Sequence, residues 1–122
     1  MKLAGLILVA LIALEHLAFL VLEMFLFQTP IGLENFRMSQ QTADTCVVFM
    51  RNQGLYNGFL AAGLITATLA RSTLMHRFCL VCIIVAGIYA SWTFGELGAA
   101  LFQALPALLA LLLLELGSRR SS

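Results

Sequence analysis

Arg51-Asn52-Gln53-Gly54-Leu55-Tyr56-Asn57-Gly58-Phe59-Leu60-Ala61-Ala62-Gly63 is a run of amides, small residues and aromatics inside an otherwise apolar segment. Read as a helix at about 100° per residue, it places Asn52, Gln53, Tyr56 and Asn57 within roughly 140° of one another. Gly54 and Gly58 fall on the adjoining face, with Ala61 between the two sets. This Gly-x-x-x-Gly spacing lets a second helix approach the backbone closely. Hydrocarbon offers the amides no partner, so in lipid they must meet side chains, backbone or water. Interhelical hydrogen bonding is one use for such residues. Three amides and a phenol within two turns exceed that need, and a polar pocket is expected.

The surrounding composition sets the class. Of 122 residues 61% are hydrophobic and 11% charged, and the mean hydropathy is +0.99. Soluble domains carry roughly 25% charged residues, so the chain reads as an integral membrane protein with the lipid bilayer as its surroundings. At about 20 apolar residues per span, the length suits an all-α, four-helix transmembrane bundle. A single membrane domain, 1–122, is predicted, with spans at about 3–27, 44–70, 76–96 and 98–116. The first run follows Lys2 as a signal peptide would, but it is too long and Glu15-His16 interrupts it, so it reads as a retained span. Pro30, Gly32 and Asn35 mark a loop whose Leu33, Phe36 and Met38 are expected to dip into the interface as a short lid. Thr42 and Asp44 are candidate caps for the second helix. Pro106 should kink the last span or loosen its hydrogen-bond ladder.

Lys2, Arg71, Arg77, Arg119 and Arg120 fall on one side of this four-span arrangement, and only Arg37 and Arg51 on the other. By the positive-inside rule both termini are cytoplasmic. The formal charge of +1 and the lack of a basic cluster give no reason to expect nucleic acid as a partner. Cys46, Cys79 and Cys82 are too few and too sparse for a disulfide framework. Cys79 and Cys82 have redox spacing, yet they read as buried small apolar residues.

Depth can be counted at about 1.5 Å per helical residue. Glu15 and His16 then fall at the midplane of the first span. Glu23 lies roughly 10 Å outward on nearly the same stripe as His16. The second helix runs the opposite way, which puts Asn57 near the midplane and Asn52 and Gln53 roughly 6–8 Å further out. Gln103 lies in the outer half of the last span. Ionisable side chains within a span cost about 2.5–3.5 kcal/mol at the helix centre and face a bundle interior or a wet cavity. A ligand pocket is therefore expected in the non-cytoplasmic half, built from Glu15, His16, Glu23, Asn52, Gln53, Tyr56, Asn57 and Gln103. The inner half reads as nearly featureless apolar sequence. Glu115, near the cytoplasmic end, reads as solvated.

Glu15-His16 through Glu23-Met24-Phe25, the Asn52–Gly63 run, and Gln103-Ala104-Leu105-Pro106-Ala107-Leu108-Leu109-Ala110 together resemble one family. It is that of the small four-span bacterial membrane proteins catalogued as domain of unknown function 1304. The likeness covers nearly the whole chain. It implies a four-helix protein of a bacterial inner membrane and carries over no reaction, ligand, cofactor or catalytic residue.

The residues themselves favour a protein that binds or carries a small lipophilic molecule, such as a quinone, isoprenoid or lipid, at an amphipathic pocket. An alternative is a membrane enzyme in which His16 and Glu23 act as acid and base. A third reading is an accessory subunit of a membrane complex, and a homo-oligomer through Gly54 and Gly58 is also compatible with the packing motif. One histidine and one or two carboxylates make a thin ligand set, so no metal is expected.

Overall fold

The computed structural model describes residues 2–119, which contain helices and turns and no strand. Helix α1 spans Lys2–Met24, α2 Pro30–Phe36, α3 Gln40–Leu69, α4 Thr73–Phe94 and α5 Leu105–Arg119. A π-helical segment, Ala100–Ala104, runs directly into α5. Three helical stretches are long and apolar enough to cross a membrane: Lys2–Met24, Thr73–Phe94 and Ala100–Ser118. The fourth expected span, α3, has 30 residues. Its polar side chains, from Gln40, Gln41 and Asp44 to Arg51, Asn52, Gln53 and Asn57, keep it outside that set.

The helix boundaries follow local chemistry. The first helix stops at Met24, three residues earlier than expected, and the chain turns on Thr29, whose hydroxyl donates to the Leu26 carbonyl at 2.7 Å. Pro30 then opens α2, a position where its missing N–H costs nothing. The caps expected at Thr42 and Asp44 are displaced upstream. Ser39 Oγ accepts from the Thr42 N–H at 3.2 Å, so α3 starts at Gln40. Asp44 instead receives the side-chain amides of Gln28 (2.7 Å) and Gln40 (2.8 Å). Ser72 caps α4 through the Met75 N–H, and Gly95, at φ 69°, ends it.

Pro106 loosens the last helix as expected. Lacking an N–H, it cannot bond to the carbonyl four residues back, and its ring crowds that carbonyl. The preceding turn widens, and the Leu105 N–H bonds to the Ala100 carbonyl five residues back.

The chain forms two compact units: a central unit, Leu14–Ala61, and a terminal unit, 2–13 with 62–119 among the described residues. The core of the central unit holds Phe27, Ala43 and Ala61 beside three buried polar side chains, His16, Glu23 and Asn57. Phe27 packs edge-on against Phe36 of α2, with ring centroids 5.3 Å apart. The terminal unit is built from Val9, Ile12, Leu64, Ala67, Leu80, Ile83, Ala104, Ala107 and Ala110, all buried. There α4 packs against the π-helical segment and α5.

Two turns end on an arginine in the left-handed region, Arg37 at φ 53° and Arg71 at φ 52°. Each closes a helix in the same way. Arg71 donates to the Thr68 carbonyl and Ser72 to the Ala67 carbonyl, while Arg37 donates to Glu34 and Met38 to Leu33. Glycine is the usual residue at this position because it has no Cβ to clash.

Gly32 and Gly98 offer a contrasting pair. A Cβ on Gly32 would overlap the carbonyls of Leu26 and Phe27, which are backbone and cannot yield, whereas one on Gly98 would meet nothing within 4 Å. Gly32→Ala is expected to destabilise by about 1–3 kcal/mol or more. Gly98→Ala should be neutral or stabilising by up to about 1 kcal/mol. Thermal unfolding of both variants in the same detergent checks the pair.

Candidate functional site

The site begins with a close helix contact inside the central unit. Leu20, Glu23 and Met24 of α1 face Gly54, Asn57 and Gly58 of α3, the two helices running antiparallel. A Cβ on Gly54 would stand 2.7 Å from Met24 Cγ and 3.0 Å from Glu23 Cβ. One on Gly58 would collide with Leu20 Cδ1. The glycines therefore set the spacing of the two backbones. Side chains of the chain's own first helix stand against both glycines.

That spacing buries the pair at the centre. Asn57 Nδ2 donates to Glu23 Oε2 at 2.7 Å, and each residue is 7% exposed. The pairing corrects the depth count, which put Glu23 about 10 Å outward of Asn57. The count aligned the helices by the middles of their apolar runs. The actual register is set by the small residues, matching Gly58 to Leu20 and Gly54 to Met24.

The same contact divides the amide stripe. On the helix wheel Asn57 lies about 60° from Gly54 and about 40° from Ala61, but about 140° from Asn52. It therefore belongs to the contact face. Asn52, Gln53 and Tyr56 are exposed, and the Tyr56 ring stands edge-on to Phe59 at 5.8 Å. Glu15 is half-buried, and His16, 1% exposed, meets Phe19 edge-on at 6.0 Å. His16 and Glu23 are seven residues apart on α1, about 10 Å along its axis. Gln103, in the π-helical segment of the terminal unit, is half-buried.

Among the described residues Glu23 Oε1 and Asn57 Oδ1 make no hydrogen bond. Among the described residues every fully buried side-chain nitrogen or oxygen has a partner. These two oxygens are therefore not sealed; each keeps a path to the surface. An ionised carboxylate accepts about four hydrogen bonds and an amide oxygen two. The pair thus presents adjacent acceptors at the edge of an apolar contact, complementary to a group that brings hydrogens of its own.

A second set of polar residues lies in the terminal unit and was not singled out from the sequence. His76 is 6% exposed, with Nε2 3.0 Å from Thr68 Oγ1, whose hydroxyl also reaches the Leu64 carbonyl at 2.9 Å. Glu115, expected to be solvated, keeps part of its side chain exposed and is also gripped by the Arg77 guanidinium, with Nη2 2.7 Å from Oε2 and Nε on Oε1. The available signal was the opposite charge of two residues near the ends of successive spans.

Residues 10–115 match the family model described as a protein of unknown function, DUF1304. The chain belongs to the DUF1304 family. Neither a curated protein nor a solved structure matches it. The DUF1304 region takes in the whole central unit and the Glu23–Asn57 pair, whereas Lys2 lies before it.

Breaking one side of the pair is expected to cost more than removing both. Asn57→Leu strands a nearly buried carboxylate and should destabilise by about 1–3 kcal/mol. Glu23→Leu with Asn57→Leu removes donor and acceptor together and should recover most of that loss. A double-mutant cycle read by thermal unfolding should give a coupling of about 0.5–3 kcal/mol. Additive effects would mean that the hydrogen bond contributes nothing.

Proposed function

We propose that this DUF1304 protein is a multi-pass membrane protein that binds or carries a small lipophilic molecule through the Glu23–Asn57 pair. The observation that carries the reading is a nearly buried carboxylate answered by one amide, with Glu23 Oε1 and Asn57 Oδ1 left open. In hydrocarbon such acceptors need a donor. Among the ligand classes the sequence suggests, they favour a head group with a hydrogen to give: an isoprenoid alcohol, a quinol or a hydroxylated lipid. Phe25 and Phe59, exposed on the same unit, would flank its apolar tail.

In this reading α3 is the fourth span. At about 1.5 Å per residue its 30 residues reach about 45 Å, the full thickness of a bilayer with its headgroups. Both termini are then cytoplasmic, in a bacterial inner membrane. The acid–base alternative needs substrate access to His16 as well as Glu23. With His16 only 1% exposed, the geometry favours binding over proton transfer at that residue.

Native mass spectrometry of protein released from mild detergent tests the proposal. A discrete uncharged adduct on the wild type should fall about tenfold in Asn57→Leu, roughly the loss of one good hydrogen bond. Glu23→Gln, which keeps an acceptor, should retain part of it. An adduct spectrum identical in wild type and Asn57→Leu would overturn the reading.

A further inference from the structure

The terminal unit contains a cavity of about 300 Å³, framed by the start of α1, the α3–α4 turn, the first turn of α4 and the last turns of α5. This is the lower end of the range of ligand pockets, about 300–1,000 Å³. Its wall is apolar, with Leu6, Leu111 and Leu114. Among the described residues its polar lining includes Lys2, Arg71 and Arg77 against one carboxylate, Glu115. The Arg77 guanidinium is committed to Glu115 by two hydrogen bonds. Among the described residues neither Lys2 nor Arg71 has an acidic partner, which leaves two positive charges in the cavity unanswered there.

Two further features distinguish this arrangement from basic residues scattered at a membrane surface. Arg71 holds the left-handed position where glycine is the residue without strain. Leaving a bulky cation there is unfavourable for the backbone and keeps a guanidinium on the cavity. Gly117, meanwhile, lets α5 approach the first turn of α1 so closely that a Cβ would stand 2.8 Å from the Lys2 nitrogen. The lysine is thereby brought against α5, whose leucines form the apolar wall. His76 and Thr68 add a hydrogen-bonded polar pair to the lining.

We infer that this cavity is a binding site for an anionic phosphate group, the phosphodiester of an acidic lipid or free phosphate, held by Lys2 and Arg71. Arginine grips phosphate oxygens through its planar fork and lysine as a point charge. The leucine wall suits the first methylenes of an acyl chain. The site is separate in chemistry from the Glu23–Asn57 pair and does not depend on it.

The test uses the full-length, delipidated protein titrated with phosphatidylglycerol or phosphatidylcholine of identical acyl chains, read by native mass spectrometry, and in parallel with inorganic phosphate. Arg71→Gly removes the charge and also relaxes the turn, so it should fold at least as well as the wild type. Lys2→Gln removes the second charge. The double variant is expected to bind phosphatidylglycerol about thirtyfold more weakly, about fivefold for each basic residue, with phosphatidylcholine unchanged. Arg37→Gly makes the same substitution in a matching turn outside the cavity and should change neither. Displacement of the lipid by millimolar inorganic phosphate would assign the site to phosphate itself. Resistance to it, with the double variant still impaired, would assign it to the lipid. Equal phosphatidylglycerol binding by the double variant and the wild type would overturn the inference, as would an equal loss in Arg37→Gly.

Discussion

The contact of α1 with α3 across Gly54 and Gly58 is the constraint from which the central unit follows. Side chains at those positions would hold the helices apart. Their absence brings Leu20 and Met24 against the α3 backbone and carries Glu23 to Asn57. A carboxylate placed there is largely withdrawn from solvent, and a donor from the facing helix offsets that cost. The hydrogen bond and the small residues are thus mutually dependent. The glycines make the approach possible, and the amide makes the carboxylate tolerable at that distance.

This dependence explains what the sequence reveals and what it hides. Composition and the lengths of the apolar runs suffice for an all-helical, membrane-type chain, because burial of backbone polar groups leaves hydrocarbon few alternatives. The Asn52–Gly63 run announces both a close contact and unusual amides, and Glu23 stands out as a charge in an apolar helix. Which amide meets the carboxylate is not visible, because angular grouping is not the same as the contact face. Asn57 shares an arc with Asn52 and Tyr56, but it also borders the glycines, and packing assigns it to them. The register was equally hidden. Counting from the middle of each apolar run assumes that both helices are centred alike, and α3, longer and polar at its start, is not.

The terminal unit shows a different limit. Lys2, Arg71 and Arg77 carry topological information in sequence, as positive residues at the ends of apolar runs. Read only that way, they become interchangeable. The structure separates them: Arg77 is paired with Glu115, while Arg71 and Lys2 line the same cavity with no acidic partner of their own among the described residues. The left-handed conformation of Arg71 is also invisible beforehand, since helix ends at this position are ordinarily recognised by their glycine.

The two polar constellations make opposite demands of a ligand. Glu23 and Asn57 offer open acceptors, so a phosphate, which at neutral pH is negatively charged and mostly acceptor, would meet repulsion from the carboxylate and no donor from the amide oxygen. Lys2 and Arg71 offer only donors and positive charge, so an alcohol would leave most of that capacity unused. A neutral, hydroxyl-bearing amphiphile suits the central unit and an acidic phosphate the terminal one. The two proposed ligands are therefore distinguishable by charge, and the binding of each is testable by a substitution that leaves the residues of the other site in place.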